Sequence, residues 1–420
     1  MTAEQVPSAG YLPPALNPFE PGFFDDPYAQ YRAVRAADPV HLSPIGVWAL
    51  FRYEDVQRVL RDPRLSVEER HARESIAPPT TPEMQALVER RRERGSRSML
   101  NLDPPDHHRL RRLVQKVFTP RMVESLRPRV HELVDELLTS ALARDGRSFD
   151  VIEDLAFPLP FVVISEMMGI PEGRDRFELR AWSGALVRTF DPVITPDEVM
   201  AAMDAGEHMG AYLAEVIEWK RDHPADDLLS ALIAAEDEGD RLTEDELIDQ
   251  VALLFIAGHE TTVNLVGNGT LALLRHREQL ELLRGDAALV PNAIEELLRY
   301  DSPVQMSRRV TLADLEIGEH VIPAGHFVMT CLGAANHDPE VFGPDADDLD
   351  LRRSNAHQHV SFGGGVHHCL GSALARLEGQ VAIGELVARF PELALATDSV
   401  QWNGRIVLRG LATLPVTVSA

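Results

Sequence analysis

A cysteine follows a run of glycines and histidines late in the chain. The segment reads Phe362-Gly363-Gly364-Gly365-Val366-His367-His368-Cys369-Leu370-Gly371, and a helical pattern begins directly after it. A glycine-rich loop lets the backbone approach a flat group closely, and unpaired amides at a helix start stabilise a thiolate. Cys369 is therefore predicted to be a soft metal ligand. A buried structural cysteine remains the alternative, and zinc is disfavoured because there is no partner cysteine pair.

An acid and two threonines interrupt an apolar stretch in the middle of the chain. Residues 251–257 are apolar on all sides and are predicted to be buried, and Gly258-His259-Glu260-Thr261-Thr262 follows at once. Glycine and threonine are poor helix formers, and local conflicts of this kind cluster at functional sites. The pattern predicts either a functional site built on Glu260 and Thr261 or a surface turn with Glu260 in solvent.

Other catalytic motifs fail at defined positions. The zinc-protease helix motif needs a second histidine where the chain has Val263. No serine lies in a Gly-x-Ser-x-Gly elbow, and neither Lys116 nor Lys220 follows a glycine as a phosphate-binding loop requires. His368 replaces the third glycine of a dinucleotide-binding fingerprint. These protease, hydrolase and nucleotide-binding classes are therefore disfavoured.

Helices must position most of these residues. Thr243 and Glu246 form a capping box, and helical signals persist to Arg275, which predicts a rod of roughly 50 Å. Helical patterns also cover 53–60, 104–118, 121–143, 158–169, 175–190, 197–221 and 226–236, while strands are predicted at 40–42, 47–51, 315–317, 320–322, 327–332, 406–408 and 414–418. The sequence predicts a mainly α fold with a minor β lobe. A proline-rich N-terminal arm is predicted at 1–27, followed by a single domain at 28–420.

Composition excludes further classes of protein. The 420 residues include 41 basic and 66 acidic side chains, giving a net charge of −25, which disfavours nucleic-acid binding. The longest uncharged apolar run of the central region, 251–258, is far shorter than the roughly 20 residues of a membrane span. The first basic residue is Arg32, so a secretory signal is not expected. A cytoplasmic protein is predicted, and two cysteines suit a reducing compartment.

The loop and the central helix resemble the cytochrome P-450 superfamily. Residues 362–371 fit its haem-binding loop Phe-Gly-x-Gly-x-His-x-Cys-x-Gly at every fixed position, and 257–262 is similar to its oxygen-activating helix motif. Glu296 and Arg299 match its Glu-x-x-Arg pair, and Arg353 resembles the third member of that ion network. The resemblance covers about 28–418 and implies the P-450 fold, with a long central helix over haem.

The resemblance also implies a cofactor and the residues that hold it. Haem b would be bound through Cys369 as the iron ligand. His107 and Arg111, which match the soluble bacterial branch and lie four apart on one helical face, would clamp the haem carboxylates together with Arg309 and His367. The implied haem-binding set also contains Ala257, Gly258, Phe362, Gly363 and Gly371. An exposed basic pair is the alternative for His107 and Arg111. The family's Ala-Asn-Arg-Asp-Pro segment appears with His337 in place of arginine, which puts local ion pairing in doubt.

The implied activity is oxygen insertion into a lipophilic small molecule by hydroxylation or epoxidation. Thr261 would hydrogen-bond dioxygen, Glu260 would feed a water-mediated proton relay, and Gly258 would let the helix open a notch. A non-oxygenating haem-thiolate isomerase or dehydratase and a haem-based sensor are the alternatives, and the Glu260-Thr261 pair speaks against the first. Substrate-facing positions are expected within 66–99, 182–190, 254–259 and 303–307 and at Leu411.

Electrons are expected from a separate protein. The sequence has neither a flavin nor a nicotinamide fingerprint and no reductase extension, so an iron–sulfur ferredoxin with its reductase is the expected donor. A basic stripe on one helix, Arg109, Arg112 and Lys116, would receive an acidic partner, although ordinary solvation explains the stripe equally well. The protein is expected to be a monomer.

Overall fold

Helices dominate the computed structural model, which describes residues 14–43, 45–73, 85, 97–144, 146–170, 176–237 and 239–418. In chain order the helices are α1 (Pro27–Ala37), α2 (Tyr53–Arg61), α3 (Asp106–Val117), α4 (Pro120–Ser125), α5 (Arg127–Arg144), α6 (Pro158–Met168), α7 (Arg176–Arg188), α8 (Pro196–Asp222), α9 (Leu228–Ala234), α10 (Glu244–Arg275), α11 (Arg277–Gly285), α12 (Val290–Tyr300), α13 (Leu332–Ala335), α14 (Pro339–Phe342) and α15 (Ser372–Arg389). The prediction of a mainly α fold with a minor β lobe is confirmed.

The strands are short and mostly antiparallel. They are β1 (Val40–Leu42), β2 (Trp48–Leu50), β3 (Leu65–Ser66), β4 (Ser148–Asp150), β5 (Glu236–Asp237), β6 (Asp240–Arg241), β7 (Met306–Thr311), β8 (Leu315–Ile317), β9 (His320–Ile322), β10 (Phe327–Cys331), β11 (Ala394–Leu395), β12 (Gln401–Trp402), β13 (Leu411–Thr413) and β14 (Pro415–Thr417). The largest sheet has the order β1-β2-β10-β7-β3. Val328 of β10 lies opposite Trp48 in a parallel pairing and opposite Arg309 in an antiparallel one. This register places Arg309 inside the sheet.

The central helix α10 organises the main core. Its N-cap Thr243 and Glu246 form the predicted capping box, and its 32 residues span about 48 Å. α10 packs against α6, α8 and α15. Residues 262–274 are all buried, and their apolar side chains, including Val266 and Leu273, belong to the largest apolar cluster of the described residues. α10 therefore carries Glu260 and Thr261 into the centre of the molecule, which rules out the surface-turn alternative.

Prolines explain two differences from the predicted helix boundaries. The helix predicted at 121–143 is divided between α4 and α5, because Pro128 has no N–H to bond the carbonyl one turn earlier. α3 begins at Asp106, after Pro104 and Pro105 rather than on them. Pro105 disfavours the α conformation in Pro104, which keeps this residue out of the helix.

The strand predicted at 406–408 is absent from the structure. The amides of Ile406 and Val407 donate to the Asp191 carboxylate, with N···Oδ1 distances of 3.1 and 2.8 Å. Leu408 forms only an isolated bridge with Val304. The Asp191 carboxylate therefore accepts the backbone hydrogen bonds that an adjacent strand would otherwise accept.

The N-terminal helix α1 and the C-terminal segment of the described chain both contact Asp301. Tyr28 on α1 donates to Asp301 at 2.8 Å, and Arg409 donates to the same carboxylate at 2.7 Å. Arg409 also donates to the carbonyl of Phe24 at 2.6 Å. These contacts support the proposal that 28–420 forms one domain. Among the described residues, no helix is long and apolar enough to cross a membrane.

Candidate active site

The loop before Cys369 is held close to helix α2. The Cys369 amide donates to the Phe362 carbonyl at 2.9 Å, which closes the loop. Gly363 and Gly365 have φ values of +68° and +64°, which favour glycine. A Cβ on Gly365 would lie 2.5 Å from the Leu60 carbonyl oxygen, so a side chain is excluded there. Glycine thus allows the close backbone approach that the sequence predicted. Gly371 is the N-cap residue of α15.

Cys369 has an accessible side chain on a loop that packs against the protein. It is exposed, whereas Cys331 is buried in β10. Burial among the surrounding protein atoms raises the pKa of the Cys369 thiol, although the amides of Gly371 and Ser372 and the charge of Arg111 lower it. The predicted stabilisation by the helix start is present, but burial outweighs it. A bound metal cation supplies the missing positive charge, because a coordinating thiol loses its proton outright.

Four basic side chains converge beside this loop. The rings of His107 and His367 lie 4.4 Å apart between centroids. Arg111 donates to the carbonyls of Val366 and His368 at 3.0 and 2.8 Å. His107 is buried, and its Nδ1 atom has no hydrogen-bond partner among the described residues. His107 is therefore oriented for a ligand that the protein itself does not provide.

Arg309 gives this cluster a buried cation. Its guanidinium donates to the Ser307 hydroxyl at 2.9 Å and to the Arg308 carbonyl at 2.7 Å, and among the described residues it has no carboxylate within ion-pair distance. Burial lowers the pKa of Arg309 to about 10, and burial together with the Arg309 charge lowers the pKa of His367 to about 3. Uncompensated positive charge of this kind fits the two carboxylates of haem.

One face of α10 is accessible although the helix passes through the core, and we call the space beside this face the cavity. Ala257 is exposed, and Leu253, Leu254 and Ile256 are partly exposed, so the prediction that 251–257 is buried on all sides is wrong. Thr261 is one turn from Ala257 on the same face, and its hydroxyl donates to the Ala257 carbonyl at 3.0 Å. The apolar side chains remain accessible because the helix borders a space that protein atoms do not fill.

Gly258 has a packing role in this structure. A Cβ on Gly258 would lie 3.2 Å from Cδ1 of Ile164 on α6, and α10 is a regular helix at this point. The predicted notch at Gly258 is therefore absent. Close approach of α6 accounts for the glycine.

Glu260 is held away from solvent by two residues that sequence reasoning missed. Arg405 donates to Oε2 at 2.9 Å, and the Ser183 hydroxyl lies 3.1 Å from Oε1. Burial would raise the pKa of Glu260, but His259 and Arg405 outweigh it and hold the pKa at about 2. Neither Ser183 nor Arg405 belongs to a motif, so the sequence carries no signal for this contact.

A second missed cluster supports the Phe362 ring. Arg376 on α15 lies 4.5 Å from the ring centroid and donates to both Glu295 oxygens, at 2.6 and 2.9 Å. His359 lies 3.3 Å from Glu295 through its Nε2 atom. The histidines near Cys369 do not converge with it as metal ligands: among the described residues, the only geometric candidate is Glu68, His71 and Asp103. The zinc alternative is therefore unsupported.

Glu296 and Arg299 occupy a structural position. Both are fully buried and form a two-point ion pair with N···O distances of 2.7 Å. Arg353 donates to Glu296 at 3.2 Å, which assembles the three-membered ion network that the resemblance implied. None of the contacts of these residues reaches the exposed face of α10.

His337 retains polar partners at the departure from the family sequence. Its Nδ1 atom lies 3.1 Å from Asp347, and its Nε2 atom lies 2.9 Å from the Tyr300 carbonyl. Burial lowers the pKa of His337, whereas Asp347 raises it. The imidazole thus makes two of the contacts that an arginine in this place could make.

Several positions expected to face a substrate or a partner protein instead contact other residues of the chain or are buried. Trp182 stacks on His208 of α8 at 5.6 Å, and His259 and Leu411 are buried. Arg109 pairs with Glu246 and Asp240, so it is engaged within the chain and not directed at a partner. Of the range 66–99, residues 74–84 and 86–96 lie outside the described residues.

Glu378 is a buried acid with a predictable effect on stability. It is 1% exposed, and within the described structure neither of its oxygens has a hydrogen-bond partner. Burial raises its pKa from 4.5 to about 8, although Thr262 lowers it. Because the folded-state pKa is the higher one, stability falls as pH rises from the unfolded to the folded value. Between about pH 5 and pH 8 the wild type should lose about 3 kcal/mol relative to Glu378→Gln.

Thermal unfolding of both proteins across this pH range measures the effect. Glu385→Gln, on the same helix but half-exposed, controls for the substitution itself. Parallel pH profiles for wild type and Glu378→Gln would contradict a neutral, buried Glu378.

Comparison with known proteins agrees with the geometry. The sequence model of the family described as Cytochrome P450 matches residues 46–400. Cytochrome P450 107B1 of Saccharopolyspora erythraea is 43% identical over 423 residues, which cover 97% of this chain and 98% of that protein. Vitamin D(3) 25-hydroxylase of Pseudonocardia autotrophica is 44% identical over 410 residues, covering 95% and 96%.

Solved structures match equally well. The crystal structure of P450BioI in complex with hexadec-9Z-enoic acid ligated acyl carrier protein has a TM-score of 0.85 at 38% identity, and the match covers 94% of this chain and 99% of that chain. Sequence, fold and the loop around Cys369 agree, and the chain belongs to the cytochrome P450 family of haem-thiolate monooxygenases.

Proposed function

We propose that this cytochrome P450 inserts one oxygen atom of O₂ into a free lipophilic small molecule, by hydroxylation or epoxidation. The observation that carries the proposal is an accessible Cys369 on a loop whose His367 faces the buried Arg309, which has no ion-pair partner among the described residues. Cys369 would hold the haem iron, and His107, Arg111, Arg309 and His367 would hold the haem carboxylates. When bound, haem with a thiolate ligand supplies oxygen activation, since such a ligand favours O–O cleavage.

Thr261 is the proposed proton-holding group at the cavity. Its Oγ1 atom lies on the exposed face of α10, with one hydrogen bond to Ala257. The oxygen lone pairs can still accept a hydrogen bond, and rotation of the hydroxyl directs its proton into the cavity. Glu260, the next residue, would exchange protons with water and with Thr261. A proton would therefore pass from water to Glu260 and from Glu260 to Thr261.

Apolar side chains support a lipophilic substrate. Ala257, Leu253 and Leu254 present an apolar surface to the cavity. One relative is named as a hydroxylase of vitamin D(3), and the P450BioI structure contains a fatty acid on a carrier protein. We favour a free substrate, as the name of the vitamin D(3) 25-hydroxylase indicates for that relative. Screening a lipophilic library for a shift of the haem Soret band tests the proposed substrate class.

Thr261→Ala is expected to uncouple oxygen consumption from product formation. The variant loses the cavity-side hydroxyl, so product formed per O₂ consumed should fall about tenfold or more, while peroxide release rises. Oxygen electrode and product assays measure both quantities. Thr262→Ala is the matched control, because the Thr262 hydroxyl is buried and lies 3.3 Å from the Gly258 carbonyl. Unchanged coupling in Thr261→Ala would reject the proposed role.

The non-oxygenating alternatives are distinguished by the same assay. An isomerase or dehydratase forms product without consuming O₂, and a haem-based sensor forms no product. Stoichiometric O₂ uptake with a product enlarged by one oxygen atom supports the monooxygenase.

We further propose that a ferredoxin, reduced by its own reductase, donates electrons to a monomer in the cytoplasm. Arg112 and Lys116, the exposed members of the predicted basic stripe on α3, offer positive charge to an acidic partner. Both cysteines are free, which suits a reducing compartment. Rates of reduction by candidate ferredoxins should fall with ionic strength if charge guides docking.

A further inference from the structure

Ser183 connects the catalytic acid to a buried histidine. The Ser183 hydroxyl oxygen lies 3.1 Å from Oε1 of Glu260 and 3.1 Å from Nε2 of His259. Ser183 and His259 are both fully buried, and they join α7 to α10. The aromatic side chains of Phe157, Phe161 and Phe255 surround the imidazole. His259 Nε2 lies 3.5 Å from Oε1 of Glu260, and Ser183 bridges the two atoms at shorter distances.

Hydrogen-bond chemistry fixes the direction of this contact. His259 Nδ1 lies 2.8 Å from the Phe255 carbonyl, which can only accept, so Nδ1 carries a proton. In the neutral imidazole, Nε2 is then an acceptor. Ser183 has one hydroxyl proton for two acceptors, Nε2 of His259 and Oε1 of Glu260. Only one of them can receive it at a time.

The protonation of Glu260 decides which acceptor is used. When Glu260 is ionised, the hydroxyl turns to Oε1, because a charged acceptor is the stronger one. When Glu260 is protonated, Oε1–H donates to Ser183, and Ser183 donates to Nε2 of His259. Every group in that second chain is paired, and no proton moves beyond the one that Glu260 gains or loses. A neutral His259 thus supports the acid form by accepting from Ser183, whereas a protonated His259, with Nε2 3.5 Å from Oε1 of Glu260, would support the carboxylate.

The other Glu260 oxygen favours the opposite state. Arg405 donates to Oε2 at 2.9 Å and also to the Gly184 carbonyl at 3.3 Å, and its charge is permanent. Arg405 borders a cavity of about 370 Å³ between α7, α8 and 403–405, which has room for several water molecules. Oε2 of Glu260 therefore faces the permanent charge of Arg405 near water. Oε1 faces the Ser183 hydroxyl, which can either donate a hydrogen bond or accept one.

We propose that Ser183 and His259 are positioning residues that let Glu260 alternate between carboxylate and carboxylic acid during proton delivery. Without the hydroxyl, Oε1 loses the partner that could accept a proton from the acid form, Arg405 still donates to Oε2, and the carboxylate persists. The inference rests on the proposed role of Glu260 in the relay. It adds to the acid–alcohol pair a second hydrogen-bonding route, which runs through Ser183 on α7.

Coupling and isotope effects test the proposal in the holoenzyme. Ser183→Ala should lower product per O₂ by about three- to tenfold, the equivalent of one lost hydrogen bond, and should raise the solvent isotope effect. Ser183→Thr keeps the hydroxyl and should restore coupling to within about twofold. Substrate affinity should stay unchanged in both variants. Ser165→Ala is the matched control, because Ser165 donates only to the Phe161 carbonyl one turn earlier.

Nitrogen-15 NMR provides a readout that is independent of turnover. In the diamagnetic reduced carbonyl complex, Glu260→Gln mimics the acid form, so Ser183 should donate to Nε2 and move the His259 Nε2 resonance to lower frequency. Combining Ser183→Ala with Glu260→Gln should return the resonance to its wild-type position. An unmoved Nε2 resonance in Glu260→Gln, or full coupling in Ser183→Ala, would overturn the inference. Glu260→Gln separates the two proposals: if it couples like wild type, the role of Glu260 itself fails. If it uncouples while Ser183→Ala does not, the Ser183–His259 route alone fails.

Discussion

Cys369→Ser is expected to remove the thiolate signature of the reduced carbonyl complex and to lower turnover on the order of 1,000-fold, equivalent to about 4 kcal/mol of transition-state stabilisation. A hydroxyl at this position is a poor ligand for haem iron, and without the anionic sulfur the bond between the two oxygen atoms is cleaved slowly. The carbonyl difference spectrum and product formation at saturating reductant measure the two effects.

The chain offers its own control for this substitution. Cys331 is the other cysteine of the sequence and is buried in β10. Cys331→Ala should keep the spectrum and turnover, with a stability loss of about 1 kcal/mol for the small cavity. A thiolate spectrum retained in Cys369→Ser would assign the iron to a different ligand and would withdraw the proposed site.

Local signals predicted most of the fold. The capping box at Thr243 and the apolar pattern behind it lie within the helix they define, so α10 was found with both ends correct. The break before α5 also has a local cause, Pro128. The spacing of apolar residues alone does not detect this break. The conformation of 406–408 could not be predicted, because its amides bond Asp191, some 215 positions away.

The site residues also fall into a group with a local sequence signal and a group without one. The loop around Cys369 is contiguous in sequence, and its spacing is specific enough to predict a metal ligand. The partners of Glu260 are not: Ser183 lies 77 positions away and Arg405 lies 145 positions away. A serine and an arginine outside any motif have no distinguishing pattern, so only the packing of α7 and the 403–405 segment on α10 identifies them.

Arg299→Met is expected to destabilise the folded protein by about 3–5 kcal/mol, because it leaves the fully buried Glu296 without its two-point partner. Arg299 also donates to three carbonyls, at Asn336, Ala346 and Asp348, with distances of 2.8, 2.6 and 2.8 Å. A loss of this size is a large part of the free energy of unfolding of a typical domain, which is about 5–15 kcal/mol. Urea unfolding followed by circular dichroism measures it.

Two further variants separate charge from geometry. Arg299→Lys keeps the charge but cannot form the two parallel bonds and reach three carbonyls, so it should lose nearly as much stability as Arg299→Met. Arg221→Met removes an exposed arginine that pairs with Glu218 at the same spacing on α8, and it should have little effect. If Arg299→Lys were as stable as wild type, charge alone would account for the site.

The Arg299 network also extends to the haem loop, so its loss should reach the cofactor. Arg299 bonds the Asn336 carbonyl, and the Asn336 side chain bonds the Val360 amide and the Ser361 hydroxyl, each at 2.8 Å. Ser361 directly precedes Phe362, whose carbonyl accepts from Cys369. On heating Arg299→Lys, the thiolate carbonyl spectrum should therefore disappear at a lower temperature than the helical circular dichroism. Coincident loss of both signals would mean that the ion network stabilises the fold as a whole and does not act on the loop.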